Sequence, residues 1–185
     1  AVAVLSGRDI RDLARRVPEG LWRAGGHGLE VIAPGEPPPA PPPPPAEALL
    51  APLARITAAH PGARVEVKGP VAALHYRAAP EAAADARTAA QEAAAALPGH
   101  VAQAGKMVVE VKPAEAHKGR TLTRMMTTAP FAGRRPVMLG DDTTDEDAMA
   151  AALTLGGRAI KVGEGHSTAP ERLPDPAAAR SWLAG

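Results

Sequence analysis

The chain has 185 residues, a net charge of +1 and no cysteine. Acids and bases are interspersed, so nothing favours nucleic acid or a membrane as partner, and the lack of thiols excludes a disulfide framework, thiolate metal sites and cysteine nucleophiles. No apolar run approaches the ~20 residues that a membrane-spanning helix needs, while the length suffices for one good core with a smaller second lobe.

Ala1-Val2-Ala3-Val4-Leu5 is a continuous apolar run, read as a buried strand. The chain opens inside it without a methionine, so further sequence upstream is expected. Ser6-Gly7-Arg8-Asp9 is the turn that follows, and Ile10 to Val17 a short helix ending before Pro18. A hydroxyl, free backbone N–H groups and an arginine at a strand end could hold a phosphate. On local grounds alone, an ordinary turn with Ser6 as a helix cap is the simpler reading. Gly20 to Arg23 reads as a short strand leading to Gly25-Gly26-His27-Gly28. Glycines there permit close backbone approach to a ligand, with His27 as a donor; a flexible turn carrying a solvated histidine is the alternative.

Residues 37–45 hold eight prolines in nine positions. Such a tract is polyproline II, about 28 Å long if fully extended at ~3.1 Å per residue. No flanking basic residue marks it as a ligand for an SH3-like partner, so it reads as a spacer or variable loop and as a boundary.

From Ala46 to His60 the pattern is helical, with Leu49, Leu50, Leu53 and Ile56 on one face and Pro52 expected near the helix start. Strands follow at 65–68 and 73–77, then an Ala-rich helix from Pro80 to Pro98-Gly99, then strands at 100–103 and 106–112. Helix, two strands, helix, two strands makes an antiparallel sheet with helices on one face. Alternation places Glu66 and Lys68 on one face, and Lys106, Glu110 and Lys112 likewise on one, with Met107, Val109 and Val111 on the opposite side. That polar face is either solvated, with exposed ion pairs worth ~0–1 kcal/mol each, or a polyol site in which carboxylates accept from hydroxyls and ammonium groups donate to them. Periodicity does not choose.

Lys118 to Met126 reads as a helix. A lysine at its amino end opposes the macrodipole, at a cost of a few tenths of a kcal/mol, and makes sense where an anion sits at the helix start; an exposed, indifferent lysine is the alternative. The strand Pro136 to Leu139 stops at Gly140, and Asp141-Asp142-Thr143-Thr144-Asp145-Glu146-Asp147 then delivers five acids in seven residues. Two carboxylates ~4 Å apart repel by roughly 4 kcal/mol at an effective dielectric of 20, so either a positive group lies among them or they point apart. A capping box from Thr143 to Glu146 accounts for Thr143, Glu146 and Asp147, but not for Asp141 and Asp142. In open α/β sheets ligands bind beyond the carboxyl ends of strands, and Mg²⁺ takes one or two carboxylates together with phosphate oxygens and water. Asp141 is therefore the candidate metal ligand. Arg158 to Val162 is a further strand, and Asp175-Pro176 caps a last helix ending near Trp182.

Three widely spaced elements, Leu5-Ser6-Gly7-Arg8, Lys118-Gly119, and Gly140-Asp141-Asp142 with Thr144-Asp145-Glu146, resemble the second, third and fourth motifs of haloacid dehalogenase-type phosphohydrolases. Gly26-His27-Gly28-Leu29-Glu30, Glu66-Val67-Lys68-Gly69, Ala73-Leu74-His75-Tyr76-Arg77, and Gly105-Lys106 through Glu110-Val111-Lys112-Pro113 narrow the resemblance to bacterial trehalose-6-phosphate phosphatases. It runs from residue 1 to Ser181-Trp182-Leu183, interrupted only by the proline tract. The resemblance implies an α/β fold: a Rossmann-like core from residues 1–33 and 112–185 bearing an inserted α/β cap, residues 34–111. It implies a cytoplasmic, Mg²⁺-dependent enzyme that hydrolyses trehalose 6-phosphate through an aspartyl phosphate, with functional coupling to a trehalose-6-phosphate synthase. Carried onto this sequence, Asp141 is a magnesium ligand supported by Asp142 and Asp145, and Ser6 and Lys118 hold the transferring phosphoryl group. Arg8, His27, Glu66, Lys68, Lys106 and Glu110 become candidates for gripping the disaccharide.

One departure stands out. The family's nucleophile lies in an Asp-x-Asp-Gly-Thr motif, and none occurs in these residues. In that fold the strand carrying it lies between the strands ending here at Leu5 and Leu139, so the nucleophile is expected upstream, and the 185 residues alone are expected to be inactive and poorly stable. Two other readings stay open: a catalytically dead domain that binds a sugar phosphate or regulates a synthase, and a capped phosphatase for another sugar phosphate.

Overall fold

In the computed structural model, which describes residues 1–185, ten strands and six α-helices form three separate sheets. The chain divides into two compact units, Val2–Ala116 and His117–Gly185, the latter grouped with Ala1. The expected core segment 1–33 and the expected cap 34–111 thus lie in one unit, although each keeps its own sheet.

The first unit opens with β1 (Ala3–Leu5), α1 (Ile10–Arg16), β2 (Trp22–Gly25) and β3 (Glu30–Ile32). β1 pairs parallel with β2 and β2 antiparallel with β3, which leaves β1 at the sheet edge. Asp9, not Ser6, caps α1, its side chain accepting from the Arg11 N–H at 2.8 Å. Ile10 and Leu13 bury against Ile32. Gly25 permits this contact, since a Cβ there would run into the Ile10 backbone. β2 starts two residues later than its pattern suggested because the Leu21 N–H is taken by the Pro18 carbonyl in a turn.

Residues 33–46 form no regular secondary structure, but the proline tract is not loose. The Arg11 guanidinium, held by the carboxylates of Asp9 and Glu30, donates from Nη1 to the Ala40 carbonyl at 3.2 Å. Pro42 and Pro45 are half-buried while the other prolines of the tract are exposed; that spacing of three is the polyproline II repeat with one edge turned inward.

Beyond the tract come α2 (Glu47–Ala59), β4 (Arg64–Lys68), β5 (Val71–His75), α3 (Ala83–Ala95), β6 (His100–Gly105) and β7 (Val108–Pro113). The sheet is antiparallel throughout, in the order β4-β5-β7-β6. Its inner face, with Ala72, Leu74, Val109 and Val111, packs on Leu49 and Leu53 of α2 and on the alanine stripe of α3. Two expectations are corrected. Pro52 lies inside α2, a full turn past its start, because Leu49 before it is a fully buried core residue. Lys106 is not in a strand: Met107 adopts a left-handed backbone (φ 60°) and makes residues 106–107 the β6–β7 turn, which breaks the alternation there.

The second unit contains α4 (Lys118–Met125), β8 (Val137–Gly140), α5 (Thr143–Thr154), β9 (Arg158–Val162), β10 (Glu171–Leu173) and α6 (Pro176–Ala184). Its sheet is parallel, ordered β10-β9-β8, with β8 at the edge. Gly119 lets α4 approach α5 closely, since a Cβ there would strike the Asp147 carbonyl. No helix of the chain is long and apolar enough to cross a membrane. The four-stranded sheet offers the clearest stability test. Leu74 is fully buried between that sheet and its helices, so Leu74→Ala should cost about 3 kcal/mol, read as a lower urea midpoint at unchanged slope.

Candidate active site

In the second unit the start of α4, the end of β8 and the start of α5 meet around one carboxylate. Lys118 Nζ donates to Asp145 Oδ1 at 2.7 Å, and both side chains are more than nine-tenths buried. Asp145 Oδ2 accepts the backbone N–H groups of Asp141 and Asp142, each at 3.0 Å. Gly140 makes room, because a Cβ there would overlap the Asp145 carboxylate. The helix start therefore differs from the expected Thr143–Glu146 box. The capping box is Asp142 with Asp145, one residue earlier, because Asp142 is still extended (φ −99°, ψ 161°) and Thr143 is already the first helical residue.

This geometry sorts the acids. Asp145 uses both oxygens inside the chain and acts as a brace. Asp142 accepts from the Thr143 N–H at 2.7 Å. Glu146 Oε2 accepts from Ser167 Oγ, Thr168 N and Thr168 Oγ1 at 2.8–3.1 Å, holding the loop after β9. Burial alone would raise the Glu146 carboxyl, but these donors and the Lys161 ammonium hold it below its usual range. The Asp141 carboxylate is exposed and takes no part in these bonds. No three His, Cys, Asp or Glu side chains come together as a metal cage. One unengaged carboxylate beyond a strand end is a donor set that suits a hard cation retaining water and phosphate oxygens, and so fits Mg²⁺ as a partial site.

Lys118 is not the exposed, indifferent lysine of the alternative reading. His117 caps its helix, Nδ1 accepting from the Arg120 N–H at 3.3 Å. The sequence reading overlooked Lys161, which is buried at 5% exposure and donates from Nζ to the Asp141 carbonyl at 2.6 Å. A lysine inside the otherwise apolar run Ala159-Ile160-Lys161-Val162 was the available signal.

In the first unit the outer face of the four-stranded sheet carries a second polar group. Register aligns Glu66, Ala73, Glu110 and Gln103 in one row across the strands. Lys68 Nζ lies 3.2 Å from Glu110 Oε1, and His75 Nε2 lies 2.8 Å from Glu66 Oε2. His75 shares this face by simple alternation along β5, yet was not singled out from the sequence. His27 is buried rather than solvated. Its ring packs on Gly7, where a Cβ would collide with it, and its backbone is left-handed (φ 59°). His27 Nε2 approaches Glu110 Oε2 at 2.9 Å, though without hydrogen-bond alignment. Burial pushes the Glu110 carboxyl up, but His27 and Lys68 outweigh it and hold it at about 2. Thus Glu66, Lys68, Glu110 and His27 come together. Arg8 instead pairs with Asp12 at 3.1 Å on the surface, and Lys106 is exposed in its turn. Ser6, at the end of β1, accepts from the Arg8 N–H at 3.2 Å.

A family described as trehalose-phosphatase matches residues 1–175. The trehalose-6-phosphate phosphatase of Escherichia coli is 39% identical over 186 residues, covering 99% of this chain and 70% of that protein. A probable trehalose-phosphate phosphatase of Sinorhizobium fredii is 37% identical over 167 residues, covering 88% of this chain and 63% of the relative. The C-terminal domain of the Candida albicans trehalose-6-phosphate phosphatase superposes with a TM-score of 0.81 at 21% identity, over 98% of this chain and 76% of that one.

Two measurements test this electrostatic layout. Lys118→Met should destabilise the chain by about 3 kcal/mol in urea unfolding, because it leaves the Asp145 carboxylate buried without its cation. Glu110 holds its proton less readily when folded (about 2) than its ordinary 4.5. The stability it contributes is therefore complete above about pH 4.5 and lost as pH falls toward 2. The stability gap between the unaltered chain and Glu110→Gln should close across that interval.

Proposed function

The chain belongs to the trehalose-phosphatase family, and we propose that it forms most of a phosphatase that hydrolyses trehalose 6-phosphate to trehalose and phosphate. Its fold is that of haloacid dehalogenase-like phosphatases. The observation that carries the reading is the buried Lys118–Asp145 pair bonded through its carboxylate to the backbone of Asp141, at adjoining ends of α4, β8 and α5. Phosphoryl transfer needs little covalent chemistry from the protein and depends on positioning and charge stabilisation. Lys118 at its helix start supplies a cation and a favourable dipole end for an anionic oxygen. Asp145 holds that ammonium in place through the 2.7 Å contact. Asp141 would hold Mg²⁺, which when bound neutralises charge on phosphoryl oxygens.

The polar row of the four-stranded sheet is assigned to the disaccharide. Glu66 and Glu110 accept from hydroxyls, Lys68 donates, and the His27 ring, close behind Glu110, favours its ionised form. A carboxylate kept at about 2 is acceptor-only at neutral pH, which suits polyol recognition. An enzyme that makes the phosphorylated disaccharide must supply the substrate, and coupling to such a synthase in the cytoplasm belongs to this reading.

We place the nucleophile outside these residues, on an upstream aspartate that attacks phosphorus and forms an aspartyl phosphate which water then hydrolyses. One fact supports this: no Asp-x-Asp-Gly-Thr occurs in the sequence. With an upstream segment carrying that motif, the protein should release phosphate from trehalose 6-phosphate in a Mg²⁺-dependent manner. Lys118→Ala and Asp141→Asn should each lower kcat by roughly 100-fold or more, on the scale of losing a preorganised electrostatic contact. Tight binding without turnover would instead establish a regulatory domain, and a higher kcat/KM on another sugar phosphate would reassign the substrate. The 185 residues alone should show no activity; metal-dependent release from them would overturn the upstream nucleophile.

A further inference from the structure

We propose that Lys161 is a positioning residue for Asp141, clamping it together with Asp145 so that the aim of the Asp141 carboxylate is fixed by β9 and α5. The inference rests on the reading that Asp141 holds the metal, but its geometry stands independently. The carbonyl of Asp141 and the N–H of Asp142 belong to one planar peptide unit. Lys161 Nζ donates to that oxygen at 2.6 Å, and the N–H at the other end donates to Asp145 Oδ2 at 3.0 Å. The preceding peptide is held too, since the Asp141 N–H donates to the same Oδ2 at 3.0 Å. Both peptide planes that flank the Asp141 Cα are therefore anchored. A residue has only two soft backbone dihedrals, and here each is fixed by a side chain from a regular element. Only side-chain rotation of Asp141 remains.

The chemistry of Lys161 argues for a task. The two residues before it in β9, Ala159 and Ile160, are buried at 0% and 1% exposure, and Lys161 itself at 5%. Burying an ammonium is costly unless it is paired and hydrogen-bonded, and an apolar side chain would fill the space without that cost. Its nearest carboxylate is Glu146, with Oε1 at 3.9 Å, a longer approach than the bond to Asp141. Glu146 also carries Ser167 and Thr168 on its other oxygen. The loop after β9 thus bears on the same lysine, and through it on Asp141. Partners one step removed from a metal typically change affinity or rate 10–100-fold when altered.

Amide hydrogen exchange reads the clamp without any catalysis. In Lys161→Met, which keeps the length and removes the donor, Asp142 exchange should accelerate about tenfold or more relative to Met149 in the middle of α5, whereas Lys161→Arg should hold the ratio within about threefold. A ratio unchanged in Lys161→Met overturns the clamp, as does a parallel rise at both amides, which would mean a purely global effect. Should Lys161→Met fail to fold, the unaltered chain suffices. A coupling through the hydrogen bond between Lys161 Nζ and the Asp141 carbonyl carbon should be detected by NMR, and its absence overturns the contact. For the consequence, Mn²⁺ titration followed by electron paramagnetic resonance, on protein carrying its upstream segment, should show about 10–100-fold weaker binding in Lys161→Met. Equal affinity overturns the positioning role. No Mn²⁺ binding by the unaltered protein would overturn the metal reading of Asp141 itself, and the exchange ratio then decides on the clamp alone.

Discussion

One buried carboxylate organises the acidic turn. Asp145 takes an ammonium on one oxygen and two backbone N–H groups on the other. Without such an arrangement five acids in seven residues would be hard to hold, since each close pair repels by roughly 4 kcal/mol at an effective dielectric of 20. The structure relieves that repulsion by dispersal. Asp145 turns inward to Lys118, Glu146 sideways to Ser167 and Thr168, Asp142 along its own helix start, and Asp147 toward His117 at 3.6 Å. Asp141 alone faces outward with its carboxylate unengaged.

The four-stranded sheet solves a comparable problem by other means. Strand alternation, rather than helix capping, gathers Glu66, Lys68, His75 and Glu110 on one face, and the opposite face is secured by the apolar contacts of α2 and α3. Glu110 is the member most removed from water; burial pushes its carboxyl up, and His27 and Lys68 beside it bring it below the usual range. A buried histidine behind it, seated on a glycine, supports the face from below. In both regions a buried acid lies against a buried basic partner, Lys118 for Asp145 and His27 for Glu110.

Much of this was legible in the residues. Val137 to Leu139 and Arg158 to Val162 announce themselves as apolar runs of strand length, and the alternation at Glu66 and Lys68 gave the polar face directly. Where the reading slipped, long-range packing outweighed a local signal. Pro52 looks like a helix start until Leu49 is seen to be core. His27 looks solvated among glycines, yet Gly7, from the turn after β1, leaves room for its ring in the interior. The capping register moved by one because the strand exit, not the hydroxyl preference, decided which residue stayed extended. β10 has too few residues to show a period, and Lys161 vanished into a hydrophobic run because its partner is a main-chain oxygen, to which composition is blind.

The proline tract has a bearing on how this molecule tolerates change. A run of prolines offers carbonyls but no N–H donors, so only a donor-rich group such as the Arg11 guanidinium can staple it at Ala40. Its inward edge recurs at Pro42 and Pro45, which makes the tract behave like a ratchet with a three-residue tooth. Length variation in steps of three would keep the same edge seated, whereas steps of one or two would rotate exposed rings onto the body and lift the strap.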